Sequence, residues 1–296
     1  MSVKFAFQAT LGFTQWKSEE VVASLKKLGY QGVEWGGAHF NTGESGAPAR
    51  VVEQTRDAGL EVSRIFAHED LVSLDDDLRE ARIVRTLEQI QAAGEVGVSN
   101  VGTMTGPAPW DKEAPRIPDD ISEGAAWDQV LEAYGRFGQA ANEAGVKISS
   151  EGVWGMVAHD FYSHKFLVDA VNSESVGVNF DPSHGILSGD MDVGWNIKQW
   201  GGQIIHCHLK DAVGISQRPG EFLFPLLGEG RVDWRAFFSA LGQIGYQGFA
   251  AVEFESFGYL KNILGNDPEQ AARISMEQIR ALTEAGPEFP PSSHAK

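Results

Sequence analysis

The sequence predicts an α/β fold closed into a (β/α)8 TIM barrel, and three observations carry that expectation. A unit of helix-period residues, a glycine and a short β-branched or apolar run recurs along the chain; the strand-bearing runs number eight; and the two longest connections each follow a strand. The repeat describes a helix stopped by glycine and followed by a strand that ends on a polar residue. In order, the runs are KFAFQATLG (4–12), LGYQGVEWGG (28–37), AGLEVSRIFAH (58–68), VGVSNVGTMTG (96–106), AGVKISSEGVWG (144–155), VGVNFDPSHG (176–185), QIIHCHLKD (203–211) and IGYQGFAAVEFES (244–256). LGYQG and IGYQG are near copies and suggest one structural unit used twice. Between the runs, Ser18 to Leu28 and Asp75 to Ala93 have the marks of helices. In the second, Leu78, Ala81, Leu87 and Ile90 give an approximate helical spacing behind an acidic first turn. The open doubly wound sheet is the alternative, but no G-x-G-x-x-G follows the first strand. Residues 1–285 are expected to form one barrel, with GPEFPPSSHAK (286–296) a frayed, flexible tail.

The long connections are 106–124, which carries four prolines, and 211–231. Both would lie at the C-terminal end of the barrel, where each is a candidate lid or substrate wall, or equally an ordered crossover or a contact in a homo-oligomer. With 24 basic against 41 acidic residues the net charge is −17, a field that repels nucleic-acid backbones and anionic membrane surfaces. Cys207 is the sole cysteine, which removes an intramolecular disulfide and a cysteine-based zinc site. The opening MSVKFAFQATLGF lacks a basic leader with a long apolar core, and no run has membrane-spanning length. The expectation is a cytoplasmic protein whose partner is a small molecule, with neither nucleic acid nor membrane.

Side chains at strand C-terminal ends converge in a barrel although they are far apart in sequence. Runs five to eight each supply one metal-ligating type there: Glu151, Asp181, His208 and Glu253. Period-two alternation supports their inward direction. In IIHCHL, Ile205, Cys207 and Leu209 would face the helices, so His206 and His208 face the barrel; in AAVEFE, Glu253 and Glu255 face in. Three adjacent carboxylates repel one another, and a divalent cation resolves the conflict. The oxygen-rich donor set suits manganese, magnesium or cobalt better than structural zinc. From spacing alone, a metal-free site or salt-bridge partners stay open.

The segments FDPSHG, HLKD, LGEGRVDW and GYQGFAAVEFES, with LGYQGVEW near the start, resemble the xylose-isomerase-like barrel superfamily of sugar isomerases, epimerases, inosose dehydratases and abasic-site endonucleases. The resemblance is strongest over residues 144–280. It implies metal ligation by Glu151, Asp181, His208 and Glu253, with Mn2+ the leading metal and Mg2+, Co2+ or Zn2+ also admitted. It implies a substrate hydrogen bond or outer ligation from His184, and a place for Glu34 on the opposite wall, where a barrel-end salt bridge is the alternative. His206 is expected to be a hydrogen-bonded core histidine. Lys210 is a candidate for touching substrate oxygens, or else a surface ion pair, and His68 for meeting a sugar hydroxyl, or else a plain loop histidine. Trp16, Trp35, Trp110 and Trp154 divide between sugar-stacking faces and core packing.

A metal between two inward glutamates suits proton transfer next to a carbonyl, with Glu151 and Glu253 as the catalytic pair and an enediolate between substrate and product. The expected activity is therefore a metal-dependent isomerase or epimerase of carbohydrate metabolism, acting on a sugar or polyol. Dehydratase or lyase chemistry on keto-inositols or keto-glycosides is the alternative through the same enolate. The resemblance implies that the related abasic-site endonucleases carry extra histidines, including a D-x-H element shortly before L-G-E-G. This chain has Phe222 and Phe224 at those offsets and no histidine in NVGTMTG, which disfavours phosphodiester hydrolysis, while the intact Glu151 and Glu253 disfavour a non-catalytic sugar-binding subunit. The ketose 3-epimerase pattern H-x-G-E is replaced here by His208-Leu-Lys-Asp211, and no phosphate-binding loop is evident.

Overall fold

Each of the eight runs contains one barrel strand in the computed structural model, which describes residues 3–189, 191–216 and 221–284. The strands are β1 (Lys4–Gln8), β2 (Gly32–Gly36), β3 (Glu61–Phe66), β4 (Asn100–Thr103), β5 (Lys147–Glu151), β6 (Val176–Phe180), β7 (Ile204–Leu209) and β8 (Phe249–Val252). All neighbours pair in parallel, and the sheet closes in the order β1-β8-β7-β6-β5-β4-β3-β2. Closure leaves no edge strand among these eight. The proposed tail at 286–296 lies outside the described residues.

Alternation along the strands sorts two populations of side chain. Phe7, Val33, Ile65, Val101, Ile148, Val178, Cys207 and Val252 join the main hydrophobic core with helix residues such as Val21, Leu25, Phe137 and Phe237. Fully burying a side chain of this size stabilises the fold by about 1.5–3 kcal/mol. The opposite parity carries equally buried polar residues, Gln8, Glu34, Arg64, Asn179, His206 and His208, beside a small apolar cluster of Ala6, Phe249 and Ala251. Register stacks the polar residues, with Gln8 beside Glu34, Glu34 beside Arg64, Glu151 beside Asn179 and Asn179 beside His206. The register slips at Val33/Glu34 and at Val178/Asn179, the kind of irregularity that re-aims side chains near sites.

The helices are α1 (Ser18–Leu28), α2 (Ala47–Asp57), α3 (Asp76–Glu95), α4 (Glu123–Ala144), α5 (Phe161–Val171), α6 (Pro182–Leu187), α7 (Val193–Trp200), α8 (Trp234–Gln243), α9 (Phe257–Asn262) and α10 (Pro268–Glu284). Helix α1 matches its expected span; Glu19 and Glu20 open it, Lys26 and Lys27 close it, and Gly29 ends it at φ 96°. Helix α3 starts where expected, with Asp75 accepting from the Leu78 N–H. Its buried residues Ile83, Thr86, Ile90 and Ala93 face the core at spacings of three and four; of the apolar set that marked the helix, Ile90 is among them, Leu87 packs partly buried against the core and Leu78 is exposed. No helix among the described residues is long and apolar enough to cross a membrane.

Candidate metal centre and substrate cavity

Four carboxylates and two imidazoles meet at the C-terminal mouth of the barrel. Glu151 is the last residue of β5, and Glu253 directly follows β8. Asp181 caps α6: its Oδ1 accepts from the Ser183 N–H at 2.8 Å, which turns Oδ2 inward. The first turn of that helix carries His184. Glu151, Asp181, His184 and Glu253 each offer a ligand atom within 4.8 Å of the others. His208 Nδ1 stands 3.3 Å from Glu151 Oε1, 3.2 Å from Glu253 Oε2 and 3.8 Å from Asp181 Oδ2. Lys210, two residues further along β7's inward parity, sits 3.1 Å from Asp181 Oδ2 and 3.0 Å from the fourth carboxylate, Glu255, and contacts Glu253. It is a buried cation and not a surface one.

A second polar layer lies beneath. Glu34 is fully buried, 3.2 Å from His208 Nε2, 3.6 Å from His206 and 3.6 Å from the guanidinium of Arg64. It is not on the cavity wall. Arg64 also reaches Glu151 at 3.4 Å and donates to His68 Nε2 at 2.6 Å. Gln8 donates to Glu34 and Glu253, at 3.3 and 3.1 Å. Asn179 donates to Glu151 at 2.8 Å while its carbonyl oxygen meets His206 Nδ1 at 2.9 Å, so His206 is hydrogen-bonded in the core. Sequence reasoning missed Arg64, Gln8 and Asn179. Arg64 was within reach of the alternation that found the histidines, because it shares parity with Phe66 and His68 in SRIFAH. Gly102 makes its room: a Cβ there would lie 1.6 Å from Arg64 Nε.

Burial opposes every charge here, so the partners decide which survive. It raises Glu34, Glu151 and Glu253, yet cations win at all three. Arg64 and then His208 hold Glu34 below its ordinary pKa, His208 and His184 hold Glu151 well below, and Lys210 and His208 do the same for Glu253. Burial disfavours a charged His208, but Glu151, Glu253 and Glu34 raise it well above the usual imidazole range; Asp181, Glu253 and Glu255 likewise hold Lys210 charged. Glu255 is pushed up, since burial outweighs Lys210. Burial drives His68 and His206 down to about 3, and both are neutral.

Above the donors opens a cavity of about 720 Å³. His68, Glu151, His184, Lys210 and Glu253 line its polar floor. Both long connections wall it: 106–124 contributes Trp110, while 211–231 contributes Phe222, Leu223, Phe224, Leu226 and Glu229. Trp154 lines it too, whereas Trp35 is fully buried on Thr55 and Trp16 packs edge-on to Phe13. A short antiparallel ribbon, Val213–Gly214 with Phe222–Leu223, shapes the second wall. Asp211 anchors its return. One oxygen accepts from Ala212 and Val232 N–H at 2.9 and 3.1 Å; the other accepts from Gly228, Gly230 and Trp234 Nε1 at 2.9, 3.0 and 2.9 Å. The HLKD and LGEGRVDW motifs are therefore two halves of one buried joint.

Residues 22–282 match the family model described as xylose isomerase-like TIM barrel. The rhizopine catabolism protein MocC of Rhizobium meliloti is 26% identical over 281 residues, covering 88% of this chain and 78% of MocC. An inosose dehydratase of Clostridium perfringens is 27% identical over 152 residues, 47% of this chain and 50% of the dehydratase. Among solved structures, the IolI protein with a bound zinc atom superposes with a TM-score of 0.76 at 17% identity, covering 97% of this chain and 100% of IolI, a likeness of fold.

Proposed function

The chain belongs to the xylose isomerase-like TIM barrel family, and from that premise we propose that it is a divalent-metal-dependent sugar isomerase or epimerase working by proton abstraction next to a carbonyl. The observation that carries the proposal is the meeting of Glu151, Asp181, His184, His208 and Glu253 at the barrel mouth, where Glu151, His184 and Glu253 line the cavity. The donors suit a cation on two grounds. Asp181 Oδ2 and His208 Nδ1 are buried and make no well-aligned hydrogen bond, although Lys210 stands 3.1 Å from the first and Glu151 and Glu253 stand 3.3 and 3.2 Å from the second. With His208 neutral, as ligation requires, the carboxylates Glu34, Glu151, Asp181, Glu253 and Glu255 outnumber Arg64 and Lys210, an excess of negative charge that a divalent ion would offset.

Glu151, Asp181, His208 and Glu253 would hold the metal, Mn2+ first by donor chemistry, with Mg2+, Co2+ and Zn2+ compatible. Glu34 then orients His208 by accepting its Nε2–H and leaving Nδ1 free for ligation, a task that suits its buried place better than touching substrate. When bound, the metal supplies Lewis acidity that makes the C–H next to the carbonyl acidic. Glu151 removes that proton to give an enediolate, and Glu253, from the other side of the mouth, returns it. Return to the same carbon inverts it; return to its neighbour isomerises the sugar. Lys210, His184 and His68 hold substrate oxygens from the cavity floor.

Dehydration or lyase chemistry on a keto-inositol or keto-glycoside is the second reading, supported by the inosose dehydratase likeness. Phosphodiester hydrolysis lacks such support, since Phe222 and Phe224 present apolar rings to the cavity.

Incubating metal-loaded protein in heavy water with ketoses, aldoses, inososes and 3-keto-glycosides tests the proposal. Deuterium should enter at least one compound at the carbon next to the carbonyl, and Glu151→Gln or Glu253→Gln should reduce entry by orders of magnitude. No labelling or conversion across the panel, with metal-dependent cleavage of abasic DNA, overturns it.

A further inference from the structure

The cavity wall is aromatic from rim to floor. Ring centroids step from Trp110 to Trp154 at 6.1 Å, from Trp154 to Phe222 at 4.9 Å, and from Phe222 to Phe224 at 5.8 Å. Phe224 then lies edge-on to His184 at 6.5 Å, with Lys210 Nζ 4.9 Å above its ring. The wall thus begins in solvent, where Trp110 is 57% exposed, and ends beside the groups that would hold a sugar. Around the same mouth Leu223 and Phe257 are also more than half exposed. Large apolar side chains left open together mark a surface awaiting a ligand.

One sugar ring can stack its C–H face on one aromatic face, but four successive rings running out to solvent offer more aromatic surface than a single sugar covers. The 720 Å³ volume also falls within the roughly 300–1,000 Å³ of sites that enclose drug-sized ligands. Glu229 and Glu255 lie on the lining, and Lys210 is already paired with carboxylates, so an anionic group is not what the wall selects. An aromatic ring loses no hydrogen bonds there and gains edge-to-face contacts.

We propose that the natural substrate is a keto-sugar joined to a neutral aromatic aglycone, the sugar on the donor floor and the aglycone along Trp110, Trp154, Phe222 and Phe224. This rests on reading the donor floor as a sugar site, and it adds the chemical class of what the sugar carries. Calorimetric titration with methyl, hexyl, phenyl and 2-naphthyl β-D-glucosides tests the wall without any chemistry. Phenyl should bind about tenfold or more tighter than methyl, as expected for burying one ring, and naphthyl tighter still. Trp110→Ala, at an exposed position that cannot threaten the fold, and Trp154→Ala should each lower the phenyl-to-methyl ratio severalfold. A ratio within twofold of one, hexyl binding as well as phenyl, or no aryl binding at millimolar concentration overturns the proposal. Heavy-water labelling of methyl 3-keto-glucoside together with no aryl preference would overturn the aglycone while leaving the proton-transfer function standing. Aryl preference without labelling of any keto-sugar would support the aromatic subsite and sink that function instead.

Discussion

Replacing Asp211 by Asn should loosen the joint that shapes one wall of the cavity. The carboxylate accepts five hydrogen bonds, two on one oxygen and three on the other. The Asn amide can keep its oxygen toward Gly228, Gly230 and Trp234, which turns its NH2 group against the Ala212 and Val232 N–H donors. Two charge-assisted bonds are then lost, at about 1.5–3 kcal/mol each, for a total of about 3–6 kcal/mol. That is a large share of the roughly 5–15 kcal/mol by which domains are stable. Gly230→Ala should act in the same direction, because its Cβ would sit 2.0 Å from Asp211 Oδ1. Urea unfolding followed by tryptophan fluorescence measures both, as a fall in midpoint at constant slope. Since Leu226 and Glu229 line the cavity from this segment, KM should rise as well. A loss below about 1 kcal/mol for Asp211→Asn would refute the hub, since even one such bond is worth more.

Arg64→Met should cost about 3–5 kcal/mol in the same unfolding assay, because it leaves Glu34 buried without its principal cation; a variant as stable as the parent would show that Arg64 does not balance the layer. The stability of metal-free protein should also fall on mild acidification. Burial lowers the buried His164 imidazole to about 4, below the roughly 6.5 of an unfolded chain, so the unfolded state takes up the proton first. Its contribution is complete above pH ~6.5 and is lost as pH falls toward 4, about 2 kcal/mol of it by pH 5. His68 and His206 act with the same sign, while His208, where the carboxylates outweigh burial and raise it, acts with the opposite sign and reduces the net loss. Urea midpoints at pH 7 and pH 5 measure the loss, and His164→Asn should shrink it; a midpoint that rises toward pH 5 would reverse the assigned direction.

The strands were legible because a barrel strand announces itself by glycine, β-branched residues and a polar end, and each of the eight runs contains one. The donors were legible because period-two alternation tells inside from outside: His206 and His208 both point inward, and Cys207 joins the core. What escaped was how charges pair across the barrel. Arg64 stands in sequence as one more basic residue, and only closure brings β3 opposite β5 and β7, where it meets Glu151 and His208. Lys210 likewise has the look of a surface lysine until β8 delivers Glu253 and Glu255 beside it. Which face of α3 is buried was not legible either, for a different reason. Both faces of that helix carry apolar residues, and the choice between them is made by what packs against it, which periodicity does not contain.

Metal uptake tests the central claim most directly. Chelator-treated protein titrated with Mn2+ should take up about one equivalent per chain, seen by calorimetry and by elemental analysis after desalting. The Asp181→Ala, His208→Ala double variant should lose that uptake while keeping its fold. Absence of uptake by the parent, or undiminished uptake by the double variant, would contradict the assignment of Glu151, Asp181, His208 and Glu253 as the metal centre.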